Sequence, residues 1–119
     1  MNFFGTFGLT DKEALQLLLP VVDTALHAHQ TGNYQEYLSV ITNELARKVS
    51  EEGFLKAHRE LAPQLGTLQS KSFLASLRRG KNPMMLFSAK FSGTEDDIVI
   101  NVTFKSGTEP PLIDWLWIE

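Results

Sequence analysis

The chain is expected to fold as α+β, with three N-terminal helices packed on a curved four-stranded antiparallel sheet. Two observations lead there. The hydrophobic period changes once, at Gly66, from recurrences of three and four residues to alternation. Every segment beyond that glycine is strand-length and separated from the next by a short loop, which favours consecutive antiparallel strands. Helices collected before strands, rather than interleaved with them, mark α+β and not a parallel α/β sheet. The 119 residues, 43% hydrophobic and 21% charged, suit one ordinary globular domain, divided into an apolar arm (1–9), a helical part (10–66) and a sheet (67–119).

The first helix starts at Thr10-Asp11-Lys12-Glu13, a capping box in which the threonine hydroxyl accepts from an early amide while Glu13 reaches back. Leu15, Leu18, Leu19, Val22, Ala25, Leu26 and His29 then form one stripe that ends before Gly32. Pro20 lies off that stripe, so its ring belongs on the outer side of a kinked helix. Asn33-Tyr34-Gln35-Glu36 is a second box, followed by Tyr34, Tyr37, Leu38, Ile41 and Leu45 on one face of a short helix interrupted near Thr42. Ser50 caps the third, in which Phe54, Ala57, His58, Leu61 and Leu65 share a face, Pro63 loosens the end and Gly66 terminates it.

Strands are expected over 68–77, 84–91, 98–104 and 112–118. The separators Arg79-Gly80-Lys81-Asn82-Pro83, Ser92-Gly93-Thr94-Glu95-Asp96 and Ser106-Gly107-Thr108-Glu109-Pro110 carry turn chemistry. Ile98, Ile100, Val102 and Phe104 alternate with Val99, Asn101, Thr103 and Lys105, so this strand has one dry face.

Composition excludes whole classes of function. With no cysteine there is no disulfide scaffold, thiolate metal site or thiol nucleophile. A net charge of −3 is not the footprint of a nucleic-acid binder. The longest strongly apolar run, Ala14 to Val22, is too short for a membrane span and contains Pro20. The N-terminus lacks a basic region and cleavage site, so the chain reads as cytoplasmic.

Three helices followed by four antiparallel strands resembles the nuclear transport factor 2-like, or cystatin-like, cone, in which a sheet wraps a long N-terminal helix. The junction His29-Gln30-Thr31-Gly32-Asn33-Tyr34-Gln35-Glu36-Tyr37 resembles the Gly-Asp/Asn-Tyr link between the first two helices of such domains. Pro111-Leu112-Ile113-Asp114-Trp115-Leu116-Trp117-Ile118 resembles the last strand of small bacterial members of unknown function, with Asp114 where a glycine is usual. The similarity spans roughly Thr10 to Ile118. It implies either a binding or assembly module or an enzyme, since the superfamily hosts both.

Catalytic relatives in that superfamily use Asp–His or Tyr–Asp arrangements inside the cone, and the resemblance brings Asp23, His29, Tyr37 and His58 forward as possible pocket residues. The plainer reading is that the two histidines are packed and hydrogen-bonded. His27-x-His29 is no metal site, because helical ligands are spaced three or four apart, and neither metal nor cofactor is expected. Arg78-Arg79-Gly80-Lys81 is a basic hairpin tip that is either solvated or an anion site, and Phe3, Phe4 and Phe7 form an arm that either covers the core or engages a partner. No nucleophile-elbow, phosphate-loop or zinc-protease motif occurs.

The leading expectation is a non-catalytic dimeric module that binds a small hydrophobic ligand or a protein. The alternative is a small enzyme with acid–base groups inside the cone. Strands 84–91 and 112–118 are apolar on both faces, so a homodimer through the sheet is expected, with Trp115, Trp117, Met85 and Phe87 at its interface; the competing expectation is that the Phe3, Phe4 and Phe7 arm covers the patch within one chain and leaves a monomer.

Overall fold

The structure, a computed structural model, describes residues 11–79, 82–105 and 111–118. The elements run α1 (Asp11–Thr31), α2 (Tyr34–Leu38), α3 (Asn43–Lys48), α4 (Glu51–Leu65), β1 (Leu68–Arg79), β2 (Asn82–Phe91), β3 (Ile98–Phe104) and β4 (Ile113–Ile118). The class is α+β, as the change of period at Gly66 implied. The arm with Phe3, Phe4 and Phe7, the Thr10 cap, the side chains of the basic cluster over 78–81 and the 106–110 loop lie outside the described residues.

There are four helices, not three. The segment read as one interrupted helix is two, because residues 40–42 leave the helix to pair with β4. Ile113 donates its amide to the Val40 carbonyl (2.8 Å), and Thr42 donates its own to the Ile113 carbonyl (2.9 Å). Thr42 then restarts the chain as an N-cap, its hydroxyl accepting from the Leu45 amide (3.1 Å) and donating to Asp114 Oδ1 (2.8 Å). The other caps follow the sequence. The Asn33 side chain accepts from the Glu36 amide (3.1 Å), and Ser50 Oγ accepts from the Gly53 amide (3.0 Å). Pro20 is exposed on the outer side of α1.

The sheet has the order β1-β2-β3-β4, each strand antiparallel to its neighbour. Register shifts between Leu68 and Ser70, between Phe73 and Ala75, and at Thr103/Phe104 bend the outer strands. Side chains divide cleanly in the middle of the sheet. The rows Phe73–Phe87–Ile100–Ile118 and Ser76–Met85–Val102–Leu116 face the helices. Their apolar residues join Leu18, Val22, Leu26, Tyr37, Leu45 and Phe54 in one core. The rows Ala75–Leu86–Asn101–Trp117 and Leu77–Met84–Thr103–Trp115 face the other way.

The helical part is tied to the sheet at Gly66. This residue has φ 73° and ψ −141°, a backbone conformation open only to glycine, and donates to the Ala62 carbonyl (2.8 Å). The turn it makes lays 65–67 on 92–93. The Gly93 amide donates to the Leu65 carbonyl (2.7 Å), and the Ser92 amide donates to that of Thr67 (2.9 Å).

Candidate functional site

Two places in the fold present side chains that could carry function. The first is the junction of α1, α2 and α4. His29, on the last turn of α1, packs its ring at 4.8 Å from Tyr37 and 4.9 Å from Phe54. Tyr37 stacks on Phe54 at 5.0 Å, and Tyr34 closes the cluster from the other side at 5.5 Å. The Tyr34 hydroxyl donates to the Val49 carbonyl (2.8 Å), which fixes its ring. His58 reaches across from α4, its Nδ1 2.8 Å from the His29 carbonyl oxygen. A carbonyl can only accept, so Nδ1 carries the proton and His58 caps one of the free carbonyls at the end of α1. Gly32, at φ +70°, lets the chain turn beneath that ring, for a Cβ there would lie 2.9 Å from the His58 Cδ2.

The electrostatics run against acid–base chemistry. Burial, with a smaller contribution from His58, pushes the His29 imidazole down to about 4. Burial, with a smaller contribution from Tyr34, pushes the Tyr37 phenol up to about 12. Both groups are therefore neutral near pH 7 and reluctant to change, whereas a general acid or base works best with a pKa near the working pH. Asp23 is not with them. It lies on the exposed flank of α1, where it pairs with Lys71 of β1. Of the four residues the resemblance brought forward, His29, Tyr37 and His58 meet and Asp23 stands apart.

Beside this cluster is a cavity of about 40 Å³, bounded by Leu26, His29 and Gln30 of α1, by His58, Leu61 and Leu65 of α4, and by Leu68, Phe91 and Ile118 at the sheet's end. That holds a water or two, not a substrate. Gln30 Nε2 is buried there without a hydrogen-bond partner, a donor that ordered water would satisfy. Larger clefts of about 310 Å³ and 420 Å³, at Asp23/His27/Glu36 and at Thr31/Tyr34/Leu55, are open depressions on the outer surface. In the first, His27 Nδ1 sits 2.7 Å from Glu36 Oε1. Among the described residues, no group of three or more His, Asp or Glu side chains is arranged to hold a metal ion, and no helix is long and apolar enough to cross a membrane.

The second place is the sheet face turned away from the helices. Trp115 and Trp117 project from it, 44% and 52% exposed, with ring centroids 6.5 Å apart and planes within 8°. Leu77 on the same side is 39% exposed, and Leu74, at the β1 bulge beside it, is 56% exposed. Met85 and Phe87 do not belong to this face, contrary to the sequence expectation. They are fully buried on the helix side, and the outward positions of β2 are Met84 and Leu86. With apolar residues at 84, 85, 86 and 87, the side of β2 that faces the helices is set by its register with β3.

Sequence reasoning missed Asn101. It stands in the middle of this face, between Leu86 and Trp117 in the cross-strand row, and its Oδ1 is buried without a hydrogen-bond partner. The signal was available, for it is the one amide in the alternating Ile98 to Phe104 strand. Comparison with protein families, curated proteins and solved structures finds no match to this chain.

Proposed function

We propose that the chain is a nuclear transport factor 2-like module without catalytic chemistry, which works by association and pairs with a second copy of itself through the outer face of its sheet. The observation that carries this reading is the pair of half-exposed, parallel tryptophans on β4, with exposed leucines on β1 at the opposite edge, on the sheet face turned away from the helices. At those exposures Trp115, Trp117, Leu74 and Leu77 together leave about 400 Å² of apolar side chain in water along the two edges of this face. Aromatic residues are also the side chains most enriched at the centres of interfaces.

The order of elements supports the cone reading: a long first helix laid on a sheet of four consecutive antiparallel strands. The interior cavity of about 40 Å³ favours association over turnover of a hydrophobic molecule inside the fold, since enclosed ligand sites are several times larger. Neutral His29 and Tyr37 point the same way.

Light scattering at tens of micromolar tests the proposal. The expected mass is about twice 13.4 kDa, falling to the single-chain value in Trp115→Glu or Trp117→Glu variants whose circular dichroism is unchanged. A single-chain mass for the unaltered protein overturns it.

A further inference from the structure

We infer that α4 is an acid-released flap: when His29 takes up a proton, the helix undocks from α1 and α2 while the sheet stays folded. The inference concerns the inner side of the fold and does not depend on how the outer sheet face is used.

α4 is weakly held by burial. Phe54 is its one fully buried side chain, against six in α1. Leu61 is exposed, and Pro63 cannot donate to the Arg59 carbonyl. Ala57 and Ala62 face the cavity, so this stretch of the helix lies over a void rather than in packed side chains. Segments with few buried apolar contacts open locally at a lower cost than global unfolding.

What ties α4 to α1 is concentrated on one residue. The Phe54 ring packs 4.9 Å from the His29 ring, and His58 donates through Nδ1 to the His29 carbonyl (2.8 Å). The other end of α4 is anchored separately, through the Gly66 turn and the Leu65 carbonyl that accepts from the Gly93 amide (2.7 Å), and there the helix pivots.

The surroundings of His29 offer nothing to hold a charge. Its ring faces Tyr37 of α2, with Tyr34 behind Phe54, then Phe54 and His58 of α4, and across the cavity the apolar Phe91 and Ile118 of the sheet. None of these is a carboxylate, and His58 becomes a like charge once both rings are protonated. His58 keeps its Nδ1 proton in either state, so acid acts on the ring contact and not on the hydrogen bond. The docked ring accordingly takes its proton only at about 4, whereas one in water does so near 6.5. Undocking α4 admits water to the side of the ring that Phe54 covers, so protonation and opening favour one another.

Hydrogen exchange at about pH 7 and about pH 5, corrected for the intrinsic rate, tests this in the unaltered protein. With those two proton affinities the open form gains about 20-fold over the interval, so protection of the amides over 55–62 is expected to fall about 20-fold. Low urea should barely change their exchange, whereas the β2 and β3 amides should exchange more slowly and respond steeply, as expected for global unfolding. In His29→Leu the pH response of the α4 amides is expected to disappear. If α4 exchanges in step with β2 and β3 at one urea slope, there is no separate flap and the inference is wrong. Unchanged α4 protection at about pH 5 also overturns it, because the charged ring is then solvated in place by cavity water, and that result needs no variant to fold. A pH response that persists in folded His29→Leu overturns it as well, by placing the trigger on another group.

Discussion

Acid should destabilise this protein through His29. In an unfolded chain an imidazole takes up its proton near the ordinary value of 6.5, whereas in the fold, against Tyr37 and Phe54, it does so only at about 4. Between those values the unfolded chain binds more protons, so stability is intact above about pH 6.5 and falls as the pH drops towards 4. The full displacement corresponds to about 3 kcal/mol, of which about 2 kcal/mol is lost by about pH 5, somewhat less where water reaches the ring's open edge. Urea unfolding followed by tryptophan emission, at about pH 7 and about pH 5, measures the loss. His29→Leu replaces the ring by a side chain of similar size that takes no proton, and the same pair of measurements on it cancels His27, His58 and the carboxylates. The unaltered protein should lose about 2 kcal/mol more than the variant over that interval. If the two lose equally, burial does not hold His29 neutral, and the case for a chemically silent aromatic cluster fails with it.

His58→Leu should lower stability by about 1 to 2 kcal/mol in urea unfolding, because it strands the His29 carbonyl at the end of α1; an unchanged midpoint would show that water serves that carbonyl equally well. Gly66→Ala should lower it by about 2 to 3 kcal/mol or more in thermal melts, since its Cβ would fall 2.3 Å from Ser92 Oγ in a conformation side chains rarely adopt. Thr42→Val should cost about 1 to 2 kcal/mol by the same assay, through loss of the α3 cap and of the Asp114 hydrogen bond. Asp23→Ala should move stability by less than about 1 kcal/mol, because its Lys71 pair is solvent-exposed on the Asp23 side.

Local signals were legible wherever local chemistry decides. The Asn33 and Ser50 caps, the Gly66 stop and the alternation from Ile98 to Phe104 each predict what the structure contains, because a cap, a left-handed glycine and a two-residue period involve only near neighbours. The break at 40–42 was only half legible. Thr42 announces an N-cap, but the pairing of Val40 and Thr42 with Ile113 joins residues some seventy apart, and nothing local encodes it. The facing of β2 was lost for a related reason, since four apolar residues in succession have no period. At the candidate site, His29 and His58 were found from helical spacing, while their environment depends on Tyr34, Tyr37 and Phe54 arriving from two other helices. Asp23 shares the α1 register closely enough to look like a neighbour, yet sits on the outer flank.

Both tryptophans of the chain are on the sheet face assigned to pairing, so its intrinsic emission reports on that face alone. Diluting the protein from about 50 μM to about 50 nM while recording emission wavelength and acrylamide quenching tests the central claim in one titration, because it follows association and location together. Paired sheets predict blue-shifted, weakly quenched emission at the high end that turns red and readily quenched on dilution, with Trp115→Glu showing the exposed signature at every concentration. Red, readily quenched emission for the unaltered protein across the whole range would contradict the account.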